Sequence, residues 1–269
     1  MGLSEPGLTG WQGPLLHSLG APLLVTIPKL VGVPTMDEIL QSRHRMMDAA
    51  ATSLVEKHQV RACIEIASGL SARGLRFARR YEQLGLEWVD ADLPHMSAIR
   101  RQRTSSSGAR LSNYRVADVD LLESEGALSP ASLLGTSGAD GPMAVFMEGL
   151  LNYFPRAVAM EALGRLRHAL ELRNVQGHVV FEIYTRADVQ GIRLVRPFLG
   201  FLSAFARGPV GLYFQDVDEA SQTLRELGFP EVVEVRTPDT PAWPVVRVLV
   251  ASTTAGLVSR SGSGQFQRV

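Results

Sequence analysis

The stretch Ile64-Glu65-Ile66-Ala67-Ser68-Gly69-Leu70-Ser71 carries an apolar run into a glycine turn and on toward a helix. Residues 62–67 show little polar alternation, as a strand buried on both faces does. Gly69 lets the backbone come close to a ligand lying across the end of that strand. The same alternation of apolar run and helical stretch recurs outward on both sides. Strands are expected at 86–91, 114–117, 143–147 and 177–184. Helices are expected at 36–58, opened by Thr35 with Glu38 as a capping box, at 71–84 with Leu75, Ala78 and Leu84 inward, at 94–103 and at 156–172. Strands alternating with helices predict a doubly wound α/β fold with a parallel sheet. After a helix at 217–227 come two strands, 232–235 and 245–251, with Pro238, Pro241 and Pro244 between them. A link so short and proline-rich permits only an antiparallel pair. The total is seven strands, mostly parallel, with one late antiparallel strand.

The 269 residues are 45% hydrophobic and 20% charged, enough apolar material for one sizeable core. Residues 1–35, rich in Gly, Pro and Leu without period, read as an irregular arm or cap; 36–252 form the domain, with 185–216 as a lid or substrate-covering segment. Residues 253–269, rich in Ser, Thr and Gly, read as a disordered tail. Lys plus Arg equals Asp plus Glu, at 27 each, so there is no basic surplus of the kind nucleic-acid binding needs. Arg73, Arg76, Arg79 and Arg80, and then Arg100, Arg101 and Arg103, read as solvated helix faces. The single cysteine, Cys63, excludes a disulfide framework and a multi-cysteine zinc site, and no His/Asp/Glu spacing suggests another metal. The start lacks a signal-peptide pattern, and the apolar 15–33 stretch is broken by His17, Pro22, Pro28 and Lys29. A cytoplasmic protein with no membrane partner is the expectation, its oligomeric state open.

Acidic residues end the later strands. Asp90 and Asp92 follow the glycine turn by about 20 positions, where a carboxylate accepts from ribose hydroxyls in doubly wound folds. Asp92, nearer the strand end, is the stronger choice; either could instead cap the next helix. Asp118, after the third strand, could accept from an adenine amino group while the next N–H meets a ring nitrogen. Glu148, directly after the fourth strand, lies at the carboxyl edge, where ligands bind. Burying its charge demands a cation or donors. The turn lacks the glycines of G-x-G-x-x-G, Ala67 standing for the first, which favours a phosphate-free cofactor, S-adenosylmethionine (SAM), over a dinucleotide.

Four stretches together resemble the leucine carboxyl methyltransferase family and its bacterial polyketide O-methyltransferase branch. They are Ser42-Arg43-His44-Arg45-Met46-Met47-Asp48, the 65–73 loop, Val89-Asp90-Ala91-Asp92-Leu93-Pro94, and Met147-Glu148-Gly149-Leu150-Leu151-Asn152-Tyr153-Phe154-Pro155. The last is similar to the family's EG-L-x-YL signature. The resemblance implies a class I, Rossmann-like SAM methyltransferase. It places Arg43 on the SAM carboxylate, with Arg45 as the alternative if the register slips. It places Glu65, Ala67, Ser68 and Gly69 at the methionine part, Asp92 and Leu93 at the ribose, Asp118 and Val119 at the adenine, and Glu148 and Gly149 near the ammonium. Ala67 and Ser71 depart from the family's usual glycine and aspartate.

What the methyl acceptor is stays open between a carboxylate and a hydroxyl of a small molecule, plausibly a polyketide-like intermediate. A protein carboxylate and a non-catalytic scaffold are the alternatives. An ionised carboxylate needs no base, whereas a phenol does. Tyr153, His95 and His44 are the candidates for that role.

Overall fold

The computed structural model describes residues 36–106, 111–190, 211–238, 240, 245–257 and 266–269. The expected arm, 1–35, and the middle of the expected lid, 191–210, lie outside them. The chain divides into two compact units, Met1–Ser42 and Arg43–Val269. The described part of the first is the opening of a helix, α1, which spans Met36–Lys57. The sheet and every contact of the site belong to the second.

Eight strands form one sheet: β1 Ala62–Ile66, β2 Glu87–Asp92, β3 Tyr114–Asp118, β4 Met143–Met147, β5 Gly177–Ile183, β6 Glu231–Val235, β7 Arg247–Ser252 and β8 Phe266–Arg268. Their order is β3-β2-β1-β4-β5-β7-β6-β8. The pairs from β3 through β5 are parallel, and β7 runs antiparallel to both β5 and β6. The expected late antiparallel strand is therefore present. The chain direction across the sheet switches between β1 and β4, and such a crevice at the carboxyl ends is where doubly wound folds bind ligands.

The connecting helices are α2 Arg73–Arg80, α3 Pro94–Ser106, α4 Pro130–Gly135, α5 Arg156–Leu172, α6 Arg186–Gln190 and α7 Val217–Glu226. One sheet face carries Ile64, Val89, Val145, Val179 and Leu249 against Ala159, Leu163, Leu166 and Leu170 of α5 and Leu224 of α7. On the other face Trp88, wholly buried, packs between Phe77 of α2 and Phe146 of β4, with centroids 5.2 and 5.6 Å away. Because side chains alternate along a strand, Glu65 and Asp90 lie on this second face with Trp88. They are register partners across β1 and β2.

Three expectations are corrected. The helix expected at 71–84 is α2 followed by a separate 3-10 turn, Glu82–Leu84. Its buried residues are Arg73, Gly74, Phe77 and Ala78, while Leu84 is exposed. A buried arginine holds a core position there, so the apolar period alone misplaces the face. Second, the sheet has eight strands, not seven. The chain's last residues, expected to be disordered, include β8, whose Phe266 is buried and stacks on His58. One aromatic anchor and the free edge of β6 hold three residues that composition marks as tail. Third, Arg73 and Arg100 are not on solvated helix faces; both are buried.

Candidate cofactor site

The glycine turn leaves β1 with Ala67 at φ 55° and Gly69 at φ 50°. Both are left-handed, a conformation free to glycine and costing an alanine about 1–2 kcal/mol. The departure at Ala67 is therefore carried as backbone strain, and the turn keeps the tight shape that the family's glycine would give. The Gly69 N–H donates to Asp92 Oδ2 at 2.8 Å and the Leu93 N–H to Asp92 Oδ1 at 2.8 Å. Asp92 thus joins the β1 turn to the start of α3 from a half-buried position at the strand end.

Asp90 is the other candidate, and its surroundings differ. It is fully buried and accepts from Trp88 Nε1 at 3.0 Å, from the Tyr114 hydroxyl at 2.6 Å, and from the Arg100 guanidinium. Arg100 also donates to the carbonyls of Gly69 (2.7 Å) and Ser71. Asp90 holds the loop from below and is enclosed, whereas Asp92, with one backbone N–H on each oxygen, stays half-exposed at the strand end. Burial and the Asp90 charge push the Tyr114 hydroxyl up to about 12.

Beside the turn is a cluster that the sequence showed only in part. Arg73, 2% exposed, donates Nε to Asp48 at 2.7 Å, Nη1 to Glu65 at 2.7 Å and Nη2 to Glu148 at 2.5 Å. Arg43 donates Nε to Glu148 at 2.8 Å, and its Nη1 stands 4.0 Å from Glu182. His44 Nδ1 lies 2.7 Å from the same Glu148 oxygen. The Gly149 N–H donates to Glu182 Oε1 at 2.7 Å. Tyr184 is buried at the end of β5, facing Arg43, Glu182 and Tyr153, and burial pushes its hydroxyl up.

These carboxylates are not equivalent. Burial would raise Glu148, but the His44 hydrogen bond and the Arg73 and Arg43 charges outweigh it and hold the group at about 2. Glu65 goes the other way: burial, against the opposing Arg73 charge, pushes it up to about 7. Glu182 is raised by burial too, despite Arg43. Among the described residues, Oε2 of Glu65, Oε2 of Glu182 and the Ser68 hydroxyl are buried with no hydrogen-bond partner. Unmet acceptors in a buried, acid-rich pocket fit a ligand that brings cationic donors.

The structure thus brings Arg43, Glu65, Glu148 and Gly149 into one cluster, with Ser68, Gly69, Asp92 and Leu93 in the adjoining turn. Arg45 is exposed and makes no ion pair with these carboxylates among the described residues, which favours Arg43 over the alternative register. Asp118 lies farther out, paired with Arg101 at 2.7 Å. The Val119 N–H, expected to meet a ring nitrogen, instead donates to the Asp92 carbonyl at 2.9 Å. It ties β3 to β2 and is already used. His95 is exposed on α3 and hydrogen-bonds to none of the cluster among the described residues. Tyr153, 38% exposed, ends the turn after β4, close enough to feel the charges of Arg43 and Glu182. Arg73 reads from sequence as solvated and Glu182 as an ordinary strand residue, yet each carries a signal. Arg73 shares a helical face with Gly74, Phe77 and Ala78, and Glu182 is the one carboxylate in a strand that, His178 apart, is apolar.

Known proteins show which family has this fold. Residues 22–167, just over half of the chain, match the leucine carboxyl methyltransferase family model. The fold is that of class I SAM-dependent methyltransferases, and the chain belongs to the leucine carboxyl methyltransferase family. It is 26% identical over 145 residues to the S-adenosyl-L-methionine-dependent methyltransferase dpfgK of Gibberella zeae, covering 54% of this chain and 46% of that protein. The match therefore spans less than half the length of that relative. A Thermobifida fusca protein assigned as a methyltransferase superposes with TM-score 0.62 at 16% identity, over 82% of this chain and 84% of its own. PigF with SAH superposes with TM-score 0.53 at 17% identity, over 92% and 75%. Among the described residues no helix is long and apolar enough to cross a membrane.

Proposed function

We propose that the chain binds SAM and transfers its methyl group to an oxygen of a small molecule of the polyketide-like kind. The observation that carries the reading is the buried surplus of carboxylates over guanidiniums at the carboxyl edge, with Glu65 Oε2 and Glu182 Oε2 unmet. Arg43 would hold the cofactor carboxylate by its terminal nitrogens, Glu182 and Glu148 the ammonium, Asp92 the ribose hydroxyls and Asp118 the adenine amino group. When bound, SAM supplies a methyl activated on a sulfonium sulfur. The chain's own contribution is orientation: Arg73 fixes Glu65 and Glu148, and Arg100 fixes the turn. Tyr153 is raised by burial and stays protonated near neutral pH, so it can donate a hydrogen bond but does not act as a base. With the His44 Nδ1 held against Glu148 as well, this supports an acceptor already ionised, a carboxylate, over a phenol.

Calorimetric titration with S-adenosylhomocysteine and with SAM tests the cofactor half. Saturable binding is expected, and a folded protein that binds neither overturns the reading. Incubation with labelled SAM and a cell extract tests the rest: label in extractable solute supports a small-molecule acceptor, and label confined to protein refutes it.

A further inference from the structure

Beside Tyr153, which feels the charges of Arg43 and Glu182, is a cavity of about 530 Å³, bounded by Tyr153–Arg156, Arg186, Gly211–Tyr213 and Glu219. Such a volume holds a two- or three-ring molecule. Its walls are tied together. The Gly211 N–H donates to the Asn152 carbonyl at 2.6 Å, and the Tyr213 hydroxyl donates to the carbonyls of Leu151 and Phe154. On the far side, the N–H groups of Arg186 and Ala187 donate to Phe214 (3.0 Å) and Gln215 (2.8 Å). Asp188 is clamped by both Arg247 Nε and Nη2, each at 2.6 Å, and by the Thr185 hydroxyl at 2.6 Å. The backbone bearing Arg186 is therefore fixed.

The charges on the rim are unequally committed. Arg156 lies over the Phe214 ring at 5.4 Å and pairs with Glu219 at 3.4 Å. Glu219 also accepts from the Gln215 N–H at 2.6 Å. Arg186 is exposed, and its guanidinium makes no hydrogen bond or ion pair among the described residues. An aromatic cavity with one balanced and one unbalanced arginine suits a flat apolar molecule carrying an anionic group.

We infer that this cavity is the methyl-acceptor pocket, that Arg186 is its anion anchor, and that the acceptor is an aromatic body bearing an anionic group. This rests on the SAM reading above, since Tyr153 links the cavity to Arg43. The anchor need not grip the reacting atom; it selects the molecule and sets its direction toward Tyr153. Arg186 is thus a specificity-determining residue, at the start of the segment expected from sequence to cover the substrate.

The test uses two fluorescent probes of matched shape, anionic 8-anilinonaphthalene-1-sulfonate and uncharged N-phenyl-1-naphthylamine, titrated into the full chain with and without S-adenosylhomocysteine. The anionic probe is expected to bind at one saturable site about 10-fold more tightly than the neutral one, the size of one charge-assisted contact. Arg186→Gln should erase that preference, Arg186→Lys should restore part of it, and Arg156→Gln should change it only about 2-fold. A Cβ at Gly211 would fall 2.1 Å from the Tyr213 ring, so Gly211→Val should displace the ring and remove the site for both probes. Equal binding of the two probes overturns the proposal, as does a preference that survives Arg186→Gln, or a site retained in folded Gly211→Val. S-adenosylhomocysteine affinity should not change in the Arg186 variants. If it binds to none of the proteins, the cofactor reading fails, and the probe titrations still decide the pocket.

Discussion

Glu65 and Asp90 are register partners on adjacent strands, on the same sheet face, and both are buried carboxylates paired with a buried arginine. They differ in what surrounds them. Asp90 has both oxygens filled, by Trp88 Nε1 on one and by Tyr114 and Arg100 on the other. Glu65 gives one oxygen to Arg73 and keeps the other buried and unmet, as Glu182 does across the cluster. A closed network of this kind holds a loop in shape. An open one leaves stability aside in favour of a ligand that brings the missing donors. Two carboxylates one strand apart thus divide the structural and the binding roles.

The largest expected effect breaks the closed side. Asp90→Ala would leave the Arg100 guanidinium buried and unpaired, costing about 3–5 kcal/mol of folding stability. Urea denaturation measures it, and a loss under about 1 kcal/mol would show that the network is not closed in the sense argued. On the open side the balance is reversed. Glu182→Gln keeps an acceptor for the Gly149 N–H and removes a buried charge, so stability should stay within about 1 kcal/mol. Affinity for SAM should fall about 10- to 100-fold, the worth of one charge-assisted hydrogen bond. A Glu182→Gln protein that unfolds readily yet binds normally would invert the comparison.

Much of this was legible beforehand because it is written in period and spacing. Strand β4 and helix α5 fall where the apolar patterns place them, and so does the proline-rich link that forces β6 and β7 antiparallel. Asp92 and Glu148 could be chosen because strand ends locate them. Arg73 and Arg100 could not, since composition treats an arginine in a charged helix as solvated, and only packing shows which one turns inward. Asp90 and Asp92 lie two residues apart on one strand face, so telling them apart needs Trp88, Tyr114 and Arg100, which only packing assembles around Asp90. The strand at Phe266–Arg268 lacked a local signal as well: three residues become a strand only because β6 offers an edge.

Acidity sharpens the same contrast. Glu65, raised from its ordinary 4.5 to about 7, keeps a proton in the folded protein that the unfolded chain has lost between those pH values. Its favourable contribution is complete below pH 4.5 and disappears as pH rises through 7. His178 acts in the opposite direction. Burial, with His58 beside it, lowers it from 6.5 to about 3, so its contribution is complete above pH 6.5 and is lost as pH falls toward 3. Subtracting the stability profile of Glu65→Gln from that of the natural chain cancels His178 and should leave a difference falling from pH 5 to 8. A flat difference would put Glu65 among the closed carboxylates. SAM affinity should rise over the same range, because a cationic ligand favours the ionised carboxylate, and calorimetry in two buffers of different ionisation enthalpy should detect proton release. Glu65→Gln should abolish both.

The smallest effect is expected at the outer end of the site, where neither kind of network exists. Arg101 and Asp118 pair at 2.7 Å with side chains 44% and 34% exposed, a setting in which an ion pair contributes about 0.2–1 kcal/mol at most. Arg101→Ala should leave the denaturation midpoint almost unchanged. It also frees an Asp118 oxygen from a competitor, so if Asp118 receives the adenine amino group, cofactor affinity should rise about 2- to 3-fold. Asp118→Asn should lower it by a similar factor, since an amide accepts more weakly than a carboxylate. Both shifts should vanish when the ligand is methionine or homocysteine, which lack the base. Shifts that persist with those fragments would place the adenine elsewhere, for the Val119 N–H is already bonded to the Asp92 carbonyl and cannot read the ring unaided.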